Sequence, residues 1–75
     1  MGGRPTRVTN RIRLLRAARD DMTQADLAAR LGVTRQTVIA IEQGRYSPSL
    51  ETAFQIARVL GVPLDEVFDY PDDEN

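Results

Sequence analysis

A chain of 75 residues with no Cys and no His holds one small domain and leaves no means for disulfide staples, zinc sites, or thiol or imidazole catalysis. Close helix packing and oligomerisation are then the routes to stability for a core of this size. The net charge of −1 conceals two unlike halves: nine Arg against Asp20, Asp21, Asp26 and Glu42 leave +5 from Met1 to Arg45, whereas Arg58 alone faces seven acids from Tyr46 to Asn75, leaving −6.

Residues 1–7, with Gly2, Gly3 and Pro5, read as a flexible leader to a domain over 8–70, and 71–75 as an acidic, frayed tail. Val8-Thr9 is strand-like. Asn10 is a fair N-cap, and Ile12, Leu15 and Arg19 at helical spacing predict a first helix from about Asn10 to Arg19. Asp20-Asp21 oppose the negative end of a helix macrodipole, so the helix is expected to stop there. Thr23 followed by Asp26 has the spacing of a capping box, and Leu27, Ala28 and Leu31 form the buried stripe of a short second helix. Gly32 stands where a left-handed C-cap is needed, Val33 follows as an apolar plug, and Thr34 caps a third helix from about Arg35 to Gln43. Val38 and Ile41 are its inward pair, and Gly44 ends it. After the loop Arg45-Tyr46-Ser47-Pro48, Ser49 caps a fourth helix whose stripe is read as Leu50, Ala53, Phe54, Ala57 and Leu60, closed by Gly61. Pro63 opens a last turn from Leu64 to Phe68. No apolar run approaches the roughly 20 residues of a membrane span, and Met1 to Pro5 lacks the apolar core of a signal peptide, so a cytoplasmic protein is expected.

Two short helices joined by a glycine turn of three to four residues have the geometry of a helix-turn-helix. That geometry needs a small residue under the crossing point (Ala28), a positive φ at Gly32, and apolar residues at Val33, Val38 and Ile41 to set the crossing angle. With these in place, the run TQADLAARLGVTRQTVIAIEQGRYSPSLETAFQIARVLGVPLDEVF resembles the phage repressor and Cro-like, or Xre, family. Within it, the chain is most similar to the small stand-alone regulators typified by the enterococcal cytolysin repressor. The resemblance covers about Asn10 to Tyr70 and departs from many relatives by one extra residue before Thr23-Gln24, supplied by Asp20-Asp21.

The resemblance implies a mainly all-α, five-helix, lambda-repressor-like domain, with a short two-stranded antiparallel sheet from Val8-Thr9 and Asp69-Tyr70. It also implies that the third helix enters the major groove of duplex DNA and reads bases with Arg35, Gln36 and Ala40. The residue types agree: Arg suits guanine and Gln suits adenine. Ile39 faces either a thymine methyl or the side of the first helix. Phosphate contacts are expected from Gln24 at the start of the second helix, from Thr34, Thr37 and Gln43, and from Arg45, Tyr46, Ser47 and Ser49 ahead of the fourth. Arg11 and Arg13 are either further contacts or merely solvated.

Relatives place an Arg of the first helix against a Glu after the recognition core, which here implies a structural pair between Arg16 and Glu42. They also imply a homodimer through Leu64, Val67, Phe68 and Tyr70, some of which are expected to complete the monomer core instead. The expected partner is a pseudo-palindromic operator in double-stranded DNA, and the expected role that of a repressor. No membrane contact, cofactor, metal or small-molecule ligand is expected, and no enzymatic activity, because the acids lie at caps and in the tail. Two other readings keep the fold. A protein-interaction adaptor would carry acids on the recognition face, where Arg35, Gln36 and Thr37 stand instead; an antitoxin that autoregulates its operon would have a toxin gene beside it.

Overall fold

Short polar side chains start three of the five helices. In a computed structural model that describes residues 6–72, the order is β1 (Thr9–Asn10), α1 (Ile12–Ala18), α2 (Gln24–Leu31), α3 (Arg35–Glu42), α4 (Leu50–Leu60), α5 (Leu64–Val67) and β2 (Phe68–Asp69). The hydroxyls of Thr23, Thr34 and Ser49 accept from the N–H of Asp26, Thr37 and Thr52 at 2.9, 3.1 and 3.1 Å, satisfying donors that a helix start leaves without an internal partner. At Thr23 the box is reciprocal, since its own N–H donates to the Asp26 carboxylate. Gly32 ends α2 at φ 73°, a left-handed turn open to glycine without steric cost, and its N–H returns to the carbonyls of Ala28 and Ala29.

α1 is shorter than its pattern suggests. Asn10 lies in β1 rather than at the cap position; its Oδ1 still accepts from the Ile12 N–H at 3.1 Å, while its Nδ2 donates to the Ile41 carbonyl at 3.0 Å. An extended backbone at Asn10 serves both bonds and ties the ribbon to the end of α3. At the other end, Asp20 and Asp21 take φ of 55° and 52°. Two successive left-handed residues reverse the chain, and a short polar side chain tolerates that region better than most. The turn delivers Met22 into the core.

The core unites all five helices through Ile12, Met22, Leu27, Ala28, Val38, Ile41, Ile56, Ala57, Leu60 and Val67. α4 turns inward a different face from the stripe its spacing suggests. Its buried residues are Ala53, Ile56, Ala57 and Leu60, the i, i+3, i+4, i+7 set of a helical face, whereas Leu50 and Phe54 are 70% and 55% exposed. They form a separate i, i+4 pair, rotated off the core face by roughly a quarter of a turn. Val67, expected among the dimer residues, is 1% exposed and belongs to the monomer core.

β1 and β2 pair antiparallel within one chain, Thr9 opposite Asp69 and Asn10 opposite Phe68, one residue from the expected pairing at each strand. Of the expected leader, Met1 to Pro5 lies outside the described residues, but Thr6 and Arg7 are engaged: the Thr6 and Ser47 hydroxyls are 2.6 Å apart, and the Arg7 guanidinium lies 5.7 Å from the centre of the Tyr70 ring. Of the expected acidic tail, Pro71 and Asp72 are exposed and residues 73–75 lie outside the described residues. No described helix is long and apolar enough to cross a membrane.

Candidate nucleic-acid interface

α3 is mounted from its inner side. Val38 and Ile41 are 1% and 3% exposed, and the capped start at Thr34 fixes where the helix begins. Arg35, Gln36 and Gln43 project outward and are exposed, while Thr37, Ile39 and Ala40 are half-buried. Ile39 stands outside the set of partly buried residues that pack on the core. The Thr34 hydroxyl is occupied by its cap and lies 3.0 Å from that of Thr37.

Glu42 is the only acid in α3, and its charge is met inside the protein. Arg16 Nε lies 2.7 Å from Oε2 and Arg16 NH2 donates to Oε1 at 3.1 Å, a two-point fork between side chains 13% and 8% exposed. The third arm of Arg16, NH1, donates to the Met22 carbonyl at 2.9 Å, so the turn after α1 and the end of α3 share one guanidinium. The outer side of α3 therefore carries cationic and neutral groups without an unpaired acid.

Two contacts here have no counterpart in the spacing of the sequence. Gln24 Nε2 donates to Glu42 Oε1 at 3.1 Å, and Gln24 Oε1 accepts from Arg35 NH2 at 3.4 Å. Gln24 was legible as the first residue of α2, but its neighbours depend on how α2 and α3 cross. Beside this chain of side chains, an open cleft of about 650 Å³ is lined by Arg13, Asp21, Gln24, Arg35 and Gln43, among others. Arg13 thus shares a surface with Arg35, whereas Arg11 is not part of the lining. Arg45 and Tyr46 are exposed in the loop before α4. Ser47 is held by Thr6, and Ser49 caps α4.

A second surface differs in character. Leu50 and Phe54 stand proud of α4 beside a groove of about 280 Å³ lined by Val8, Ser47, Pro48, Leu50, Ala53, Leu64 and Phe68. Leu64 and Phe68 are half-buried against the core, and Tyr70 is 64% exposed. Among the described residues, no charged side chain lines this groove.

A helix-turn-helix family model matches residues 12–67. The chain is 52% identical over 65 residues to an HTH-type transcriptional regulator of Methanocaldococcus jannaschii, covering 87% of this chain and 97% of that one. It is 41% identical over 59 residues to the cryptic phage CTXphi transcriptional repressor RstR of Vibrio cholerae, covering 79% of this chain and 52% of the repressor. The fold is similar to a crystal structure of a protein from Bacteroides fragilis, with a TM-score of 0.72 over 83% of this chain and 98% of the other, at 24% identity.

Proposed function

Because this chain belongs to the Xre-type helix-turn-helix family, we propose that it is a transcriptional regulator that binds duplex DNA as a homodimer, with α3 in the major groove. The observation that carries this is the outer side of α3: exposed Arg35 and Gln36 on a helix locked by Val38 and Ile41, with its one acid neutralised by Arg16. Arg35 takes guanine and Gln36 takes adenine, each pairing contributing about 1–3 kcal/mol of discrimination. Ala40 and Ile39 lie further along and meet thymine methyls; the position of Ile39 away from the core supports this over the packing alternative.

Phosphates are held at the rim by Thr37, Gln43, Arg45 and Tyr46, with Arg13 added by its place in the cleft. Thr34, Ser47 and Ser49 are already engaged in caps or in a bond to Thr6, so each offers its remaining hydrogen-bonding capacity or its backbone. At Gln24 the side-chain amide is turned inward, and the start of α2 itself meets the phosphate.

One helix covers few base pairs, so specificity calls for two copies about one DNA turn apart. The dimer surface is revised by removing Val67, keeping Leu64, Phe68 and Tyr70, and adding Leu50 and Phe54. An exposed apolar ridge beside an uncharged groove suits a second copy related by a two-fold axis, each ridge filling the other's groove. The working unit is the domain over residues 8–70, acting in the cytoplasm. Repression is the mode: a small dimer on an operator excludes polymerase without further parts, and one relative is named a transcriptional repressor.

Selection of bound sites from random duplexes tests the whole reading. The expected result is a pseudo-palindrome with half-sites about one helical turn apart, whose affinity falls with log salt at about 0.9 per phosphate neutralised. Recovery of no preferred sequence, with binding indifferent to salt, would overturn it.

A further inference from the structure

A carboxylate only accepts hydrogen bonds, and an amide has one donating and one accepting end. Glu42 is gripped by Arg16, and its Oε1 also takes the Gln24 Nε2 at 3.1 Å. Gln24 is thereby obliged to turn its NH2 inward and its carbonyl oxygen outward. The reversed amide would set acceptor against acceptor at Glu42 and donor against donor at Arg35. The outward oxygen meets Arg35 NH2 at 3.4 Å. From the inside of the protein to its reading surface, the order is therefore Arg16, Glu42, Gln24, Arg35, with donor and acceptor alternating at every step.

We infer that Glu42 and Gln24 are positioning residues for Arg35: the half-buried pair fixes the polarity of the Gln24 amide, and that polarity selects a donor at position 35 and holds it before DNA arrives. The inference rests on the reading of Arg35 as a base contact. A free arginine side chain loses much rotamer freedom on docking, and a tether formed beforehand reduces what is left to lose. The tether uses one of the five N–H groups of the guanidinium and leaves others for a two-point contact with guanine. It also couples positions 24, 35 and 42 functionally, although Glu42 has no place in the proposed DNA contacts. A donor at position 35 is compatible with this chain of bonds, and an acceptor is not.

The test uses the full chain and two variants. Gln24→Met keeps the length of the side chain and removes both bonds. Glu42→Gln keeps the shape but supplies an NH2 that allows Gln24 to reverse. Two quantities are read: the NMR order parameter of the Arg35 side-chain Nε–H in DNA-free protein, and the ratio of Kd between the selected operator and the same duplex altered at the base pair that Arg35→Ala identifies. In Gln24→Met the order parameter is expected to fall and the ratio to drop about fivefold, the worth of one side-chain hydrogen bond. Glu42→Gln is expected to shift both in the same direction. Unchanged Arg35 order in Gln24→Met, with all sequences weakened alike, would make Gln24 a phosphate contact alone and overturn the inference. A fall in order in a chain that binds no duplex would leave the positioning chain standing and remove the base-reading role instead.

Discussion

α3 and α4 each turn one side to the same core, yet they leave opposite chemistry in water. α3 shows Arg35, Gln36 and Gln43, groups that hydrate freely and hydrogen-bond in fixed directions; α4 shows Leu50 at 70% and Phe54 at 55% exposure beside an uncharged groove. A polar face is stable in solvent and waits for a polar partner, whereas an apolar ridge gains free energy when another apolar surface covers it. Under the proposed function the two surfaces serve two classes of partner, nucleic acid on α3 and a second copy of the chain on α4. The acids are divided as unevenly: seven of the eleven follow Tyr46.

That contrast is open to attack from either side. The largest effect is expected from Phe54→Asp. It removes about 2 kcal/mol of apolar burial from each copy, or about 4 kcal/mol from the dimer, and should give a folded monomer by sedimentation equilibrium with unchanged helicity. A dimer of undiminished affinity would show that the α4 ridge is not the interface. Next is Glu42→Ala, which strands Arg16 in a site only 13% exposed. A loss of about 3 kcal/mol in urea unfolding is expected for breaking a pair this enclosed; a loss below about 1 kcal/mol, the worth of an exposed pair, would mean that Val38 and Ile41 hold α3 unaided.

Arg35→Ala should cost about 2 kcal/mol of discrimination at one base pair per half-site, measured as a ratio of Kd values on matched duplexes. Phe54→Asp should leave that ratio intact on isolated half-sites, so a parallel loss in both variants would merge the two surfaces into one. The smallest expected change is in Arg45→Ala: all sequences weaken alike, and the log K against log salt slope becomes shallower by about 0.9 for each copy, or about 1.8 for the dimer. A slope equal to that of the parent chain would remove Arg45 from the phosphate contacts.

Much of this organisation is visible residue by residue along the chain. Thr23 with Asp26, Thr34, Ser49, Gly32 and Gly61 mark helix ends through bonds that close within a few positions, and all five act as expected. Val38 and Ile41 were legible as the inner pair of α3 because only one helical face there is apolar on both turns. α4 offered too many apolar residues for that rule. Leu50, Ala53, Phe54, Ile56, Ala57, Val59 and Leu60 cover more than half its circumference, and spacing alone does not say which arc turns inward. Small Ala53 and Ala57 beside Ile56 form the arc that admits close approach by the other helices, and the bulkier Leu50 and Phe54 were left outside. Asn10 was misplaced for a related reason: its amide serves Ile41, 31 positions away, as well as the nearby Ile12.

Helix limits, and the sign of charge in each half of the chain, are written in the order of residues, since caps, glycine turns and composition act over three or four positions or over none. Which apolar residues became core, and the meeting of Arg16 with Glu42 across 26 positions and of Gln24 with Arg35 across 11, came from the crossing of helices. Those distances depend on angles between rigid rods, and a rod's orientation is a property of everything packed beneath it.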